Sequence, residues 1–257
     1  MNPNLCRVVL RPRGPLEVFD LTVQLIRDRW RPLARLTLLM VGLPWLLVCV
    51  PLCWLTDGHL ALLAIPLVAV PLVQAPFTLL GGRLLFADEL SVRDVLGDLV
   101  GRGGGLVWST LMLALGWLIS IAVCGILLPV VQPGLLYLPE TALLERVPAR
   151  RGINRSVRLA GGHAGIALVG AGAWWFLLLW GALVGEATGQ AVVGFLLQLG
   201  EPLGAATSGQ VTPWMLGGML LVQPLHALYR LMLYVDVRTR VEGWDLQVGL
   251  RAAGLAR

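Results

Sequence analysis

The chain has 257 residues, of which 57% are hydrophobic and 14% charged, against about 25% charged in an ordinary soluble domain. Its net charge of +5 rests on arginine alone, since the sequence contains no lysine. The charges gather in short stretches between uncharged runs, which excludes an ordinary soluble globule and assigns the basic balance to membrane orientation and anionic lipid headgroups, with no nucleic acid partner.

The first 35 residues carry seven arginines. This stretch is too long for the n-region of a cleavable signal, so the apolar run after it reads as an uncleaved first span. From Gly14-Pro15 onward, Leu16, Phe19, Val23, Ile26 and Trp30 recur at helical spacing, with Glu17, Asp20, Gln24, Arg27 and Arg31 on another face. That pattern predicts an amphipathic helix lying in the membrane interface. Residues 36–56 carry no charge and are long enough to cross about 30 Å of hydrocarbon. After a turn at Asp57-Gly58-His59, residues 60–82 cross back, interrupted by Pro66, Pro71 and Pro76. Prolines remove backbone donors, so this helix should bend and turn its freed carbonyls toward protein.

Charge returns between Arg83 and Gly105, where Val92, Val95, Leu96 and Leu99 form a second apolar stripe behind Ser91. Residues 106–144 then hold a single charge, Glu140. At about 20 residues per crossing they make two spans, joined near Cys124-Gly125, with Pro129, Pro133 and Pro139 in the second. The densest basic cluster runs from Arg150 to Gly162. Residues 164–184 form a fifth span, and residues 191–199 are too short to cross and are expected to dip into the interface. Residues 213–235 form the sixth span, before a charged tail at 236–257.

The expected fold is therefore all-α: a polytopic membrane helical bundle of six transmembrane helices with amphipathic cytoplasmic interfacial helices, in a single domain over residues 1–257. Its parts are an amphipathic N-terminal segment at 1–35, the spans at 36–235 and the tail at 236–257. With six spans and both termini on one side, all 20 arginines fall on that side. The positive-inside rule makes that side cytoplasmic. Three times an amphipathic segment precedes a two-span hairpin, near residues 15, 87 and 148. At an offset of 60, Leu99, Gly101, Gly105 and Leu106 match Leu159, Gly161, Gly165 and Ile166.

The sequence lacks GxxxxGK[ST], HExxH and GxSxG motifs, and its three histidines fall at different depths. No catalytic, cofactor-binding or metal-binding residues are expected, and no enzymatic activity. Cys49 and Cys53 read as small apolar packing residues, as does Cys124. Inside the spans, Gln74, Gln132 and Gln223 each lie just before a proline. Such glutamines either bond backbone freed by the kink or a neighbouring helix, or line a polar path between broken helices. His226, Tyr229 and Arg230 share the cytoplasmic half of span six, where a snorkelling arginine and an interfacial tyrosine are expected rather than a proton relay. Glu140 is expected to pair with an arginine near the surface. Gly181, Gly185 and Gly189 form a small-residue row suited to close helix packing, within the bundle or between protomers. Trp54 and Trp214 fit the outer interface, and Trp30 and Trp244 the inner one.

Three stretches carry a resemblance to a family. They are Arg11-Pro12-Arg13-Gly14, Arg155-Ser156-Val157-Arg158-Leu159 ending at Gly162, and Asp236-Val-Arg238-Thr-Arg240-Val-Glu242-Gly243-Trp244-Asp245. Together they resemble a group of bacterial membrane proteins that includes the membrane domain accompanying some glycerophosphodiester phosphodiesterases. Val157 stands where that group carries an aromatic, and Gly161 where a polar or basic residue is usual. The resemblance implies a helical bundle in a bacterial cytoplasmic (inner) membrane, without catalysis, since the phosphodiesterase chemistry belongs to a separate soluble domain. The expected function is a non-enzymatic scaffold or accessory component. It would act through an arginine-rich cytoplasmic face, at Arg150, Arg151, Arg155, Arg158, Arg238 and Arg240, on anionic lipid headgroups or on membrane or cytoplasmic proteins. The alternative is a small transporter or permease subunit using Gln74, Gln132, Gln223 and His226.

Overall fold

A computed structural model describes residues 12–84, 92–123, 125–145, 147–198 and 206–243. Those residues are helical, with short connections. Among the described residues, four helices are long and apolar enough to cross a membrane: Trp30–Leu55, Leu60–Leu84, Gly103–Ser120 and Ala164–Leu196. The protein thus has the makings of a multi-pass membrane protein, and its lipid-facing character is visible in exposed Leu46, Leu47, Leu118, Phe176, Leu179 and Trp180.

The first helix, α1 (Pro15–Asp28), begins behind Gly14 with proline in its first turn, where the missing donor costs nothing. Its inward face differs from the expected stripe. Val18 and Thr22 are buried, and Phe19 meets Tyr229 edge to face at 5.6 Å. Leu16, Val23 and Trp30 point outward instead. A helix docked on protein on one side and on lipid on the other needs two apolar strips, which a single periodic stripe conceals.

After a break at Arg29 the chain continues as α2 (Trp30–Thr37), two π-helical stretches (Leu38–Gly42 and Trp45–Cys49) and α3 (Val50–Leu55). The widened turns flank Pro44, which has no N–H to offer. Cys49 and Cys53 are buried and free among the core side chains, as packing residues would be. Cys6 and Cys124 lie outside the described residues. The reversal at residues 57–58 takes up positive φ at Asp57 (48°) and Gly58 (68°), and Val211 N–H donates to the Gly58 carbonyl at 2.8 Å. A Cβ on Gly58 would come within 2.7 Å of the Val211 carbonyl oxygen, so this turn requires glycine.

The second long helix ends in α4 (Ala64–Leu84), which holds Pro71 and Pro76 and is buried continuously from Val73 to Gly82. It is followed by α5 (Val92–Gly101), α6 (Gly103–Ala122), α7 (Leu128–Leu135), α8 (Leu138–Leu143) and α9 (Ala149–Gly162). The expected fourth span is thus two short helices. Pro133 and Pro139 withdraw backbone donors on either side of Leu136 and Tyr137, and the ladder lapses between them. The expected sixth span is divided in the same way, into α11 (Pro213–Leu221) and α12 (Gln223–Glu242), at Val222 just before Pro224.

Between them lies α10 (Ala164–Gln190), continued by a π-helical stretch at Ala191–Leu196. Residues 191–196 therefore extend the fifth helix rather than forming a separate interfacial dip. Small residues decide its position. A Cβ added at Gly218 would stand 1.9 Å from the Gly181 carbonyl oxygen, and one at Gly185 would stand 2.5 Å from that of Trp214. The GxxxGxxxG row thus brings α10 and α11 into backbone contact within one chain.

Candidate membrane-buried polar network

Five polar side chains meet in the interior. Gln74 of α4 is fully buried, and its amide donates to Gln223 Oε1 at 2.6 Å and meets His226 Nδ1 at 3.0 Å. Its own oxygen accepts from an Arg230 terminal nitrogen at 2.8 Å. Arg230 Nε donates to Glu140 Oε1 at 2.7 Å, with the arginine side chain 6% and the glutamate 0% exposed. Gln223 returns a bond to the Met219 carbonyl at 2.7 Å. With Nδ1 accepting from Gln74, the His226 proton belongs on Nε2, which lies 3.4 Å from the Gly170 carbonyl of α10. The network therefore ties α4, α8, α10 and α12 together across the bundle.

Local sequence explains how these groups reach one another. Pro76 and Pro224 follow the glutamines by two and one residues, and Pro139 directly precedes Glu140. Pro139 and Pro224 stand in the first turns of α8 and α12, beside the breaks in the expected fourth and sixth spans, whereas Pro76 lies inside the continuous α4. Glu140 lies in the first turn of its short helix, at the end favourable to an anion. A charged pair at this depth is tolerated only when partnered, because lipid supplies no substitute. The partnership is incomplete: Glu140 Oε2, one Arg230 terminal nitrogen and the Tyr137 hydroxyl are buried without a hydrogen bond.

Arg230 and Tyr229 differ from expectation. Arg230 does not snorkel, and Tyr229 is 3% exposed, bonding the Pro15 carbonyl with its hydroxyl at 3.3 Å. Glu140 pairs with arginine, but in the core. Here α1 covers Tyr229, and Glu140 of α8 and Gln74 of α4 take the place of the water that a snorkelling Arg230 would reach. Gln132 is buried apart from the network, accepting from Trp175 Nε1 at 2.5 Å. His226 joins Gln74 and Gln223. No motif marks Glu140 and Arg230 as partners, since they are 90 residues apart; the isolated acid in a 39-residue uncharged run was the available signal.

A second polar cluster closes the arginine-bearing end. Arg155 of α9 grips Glu145 with Nε and a terminal nitrogen, at 2.9 and 3.0 Å, and also bonds Glu242. Arg238 reaches Glu242 at 3.0 Å and lies over the Tyr234 ring at 5.7 Å. The Tyr234 hydroxyl donates to Glu145. Nearby, the Arg13 backbone N–H donates to Asp236 at 2.7 Å, and Arg240 bridges Asp236 at 2.8 Å and the Arg13 carbonyl at 2.6 Å. Arg13, Arg155 and the segment from Asp236 to Glu242, far apart in sequence, thus meet in space. Burial alone would raise the Glu145 carboxyl, but bonds from Arg155 and Tyr234 and the Arg238 charge hold it below its ordinary value. Glu242 is lowered likewise, its burial outweighed by Arg155 and Arg238. These two glutamates in turn raise Arg155.

Of the six arginines singled out by sequence, Arg155, Arg238 and Arg240 are engaged in these clasps, while Arg151 and Arg158 are exposed on α9. The side chain of Arg150 lies outside the described residues. His59 caps the turn before residues 60–63 by accepting from Ala61 N–H at 3.1 Å, and His163 stands between α9 and α10. No family model, curated protein or solved structure matches this sequence.

Proposed function

We propose that the chain is a six-crossing protein of a bacterial cytoplasmic membrane with both termini inside. In this reading it is a non-enzymatic component that engages anionic lipid headgroups through outward-facing arginines. The four long apolar helices supply four crossings, and the proline-divided pairs α7–α8 and α11–α12 supply the other two. The observation that carries the reading is the division of labour among the arginines. Arg155, Arg238 and Arg240 are neutralised by Glu145, Glu242 and Asp236. Arg27, Arg31, Arg35, Arg151 and Arg158 face outward on the amphipathic helices. The kinship suggested by the three short motifs belongs to the same proposal, since the motifs now have a shared structural role as clasps.

Each basic side chain near an anionic surface contributes about 1 kcal/mol. Replacing Arg151 and Arg158 by glutamine should therefore weaken association with phosphatidylglycerol by roughly 25-fold, measured by native mass spectrometry of detergent-extracted protein. Unchanged lipid association with loss of a co-purifying protein would move the role to a protein partner. Reporter fusions near Gly58 and Ser208 test the threading, and cytoplasmic signals there would overturn it.

A second reading, transport, draws on the buried Glu140–Arg230 pair and its unfilled polar atoms, a feature found along substrate and proton pathways in membranes. The extensive bonding of Gln74, Gln223 and His226 supports a structural lock more strongly.

A further inference from the structure

We infer that the groove between the first long helix and the α10–α11–α12 wall is a specific site for one anionic phospholipid, an acyl chain in the groove and its headgroup at the arginine-bearing mouth. The inference rests on the membrane-embedded reading above and adds a defined ligand site to it. The groove encloses about 700 Å³, within the usual range of about 300–1,000 Å³ for ligand pockets. Its near wall is Trp30, Thr37 and Val41, and its far wall Gly185, Gly218 and Pro224. Glycines make the depression: close approach of α10 to α11 leaves their shared surface without side chains, and Trp45 closes over Gly217, where a Cβ would lie 2.6 Å from the indole nitrogen.

The lining selects a hydrocarbon. Its hydroxyls are already bonded to their own helices, Thr37 to the Leu33 carbonyl at 2.9 Å and Thr188 to that of Val184 at 2.7 Å. The Trp45 N–H is held by the Pro213 carbonyl at 2.6 Å. An occupant finds no polar partner from these groups along its length. One end carries the charge: the Arg31 guanidinium lies 5.8 Å from the ring centre of groove-lining Trp30. Arg27 and Arg35 are also exposed, three residues before and five after Trp30, with Asp28 the nearest exposed acid in sequence. A cation held over an aromatic ring at the mouth of an apolar slot matches a phosphate-bearing headgroup whose tail fills the slot.

The test uses the full chain in nanodiscs of phosphatidylethanolamine and phosphatidylglycerol, doped with a phosphatidylglycerol bearing a photoactivatable acyl chain. Labelling should saturate and concentrate on groove residues. Ala34→Phe and Thr188→Phe fill the groove from exposed positions and should reduce that labelling at least tenfold while leaving the melting temperature unchanged. Arg27→Gln with Arg31→Gln should abolish the preference for phosphatidylglycerol over the phosphatidylethanolamine analogue. Labelling spread evenly over the lipid-facing helices, labelling unaffected by the two phenylalanines, or a second protein chain crosslinked in the groove would each overturn the inference. Arg151→Gln with Arg158→Gln should leave groove labelling intact, so failure of the general lipid-face reading and failure of this site give different patterns.

Discussion

Removing Glu140 is the sharpest perturbation of this fold. Arg230 would keep its bond to Gln74 at 2.8 Å but lose its carboxylate partner at 2.7 Å, in surroundings that leave the guanidinium 6% exposed. Breaking a buried pair from one side costs about 3–5 kcal/mol, because the remaining charge is stranded. At about 1.4 kcal/mol per decade this is a roughly 100- to 4,000-fold change in the folded-to-unfolded ratio. Glu140→Leu and Arg230→Met should each show it in unfolding measured by steric trapping in bicelles. The double variant removes both charges, so it should recover most of the loss, as apolar replacement of whole buried pairs does. A coupling well above 1 kcal/mol between the two sites is the expected signature. Single variants costing under about 1 kcal/mol, or strictly additive losses, would refute a lock built on this pair.

The two intramembrane glutamines should behave differently: Gln74→Leu removes bonds to Gln223, His226 and Arg230, whereas Gln132→Leu removes one to Trp175. At about 0.6 kcal/mol for an average interhelical bond, thermal melts should rank Gln74→Leu as the more damaging. Gly218→Ala should disrupt α10–α11 packing, since its Cβ meets the Gly181 backbone, while Gly172→Ala, with nothing within 4 Å, should be neutral in the same melt. The lowered Glu145 and Glu242 stabilise the fold at pH above their ordinary value of 4.5 and lose that contribution as pH falls through their folded values. The melting temperature should hold from neutral pH to about 5 and then decline. Arg155→Gln should flatten the acid decline, and an unchanged profile would count against the clasp.

The sequence by itself determined that this chain is helical and apolar enough for a membrane, where its long apolar helices lie, and which segments carry charge. These follow from composition and run length, because 1.5 Å per residue and the lack of water in lipid leave few alternatives. The amphipathic segments at α1, α5 and α9 were legible for the same reason, as was the small-residue row on α10. What the sequence could not determine was which partner each polar group finds. Val18 rather than Leu16 faces the protein because α1 lies against α12, a neighbour more than 200 residues away. Arg230 is buried because α4 and α8 present Gln74 and Glu140 to it, although its position alone suited snorkelling. Gln132 has the same proline context as Gln74 and Gln223, yet it bonds Trp175 because α7 packs on a different part of α10. The Arg13, Arg155 and Glu242 motifs look like separate surface features in one dimension. Tertiary packing converts them into a neutral clasp, because oppositely charged side chains brought together at a helix bundle's end satisfy one another before they reach lipid or solvent.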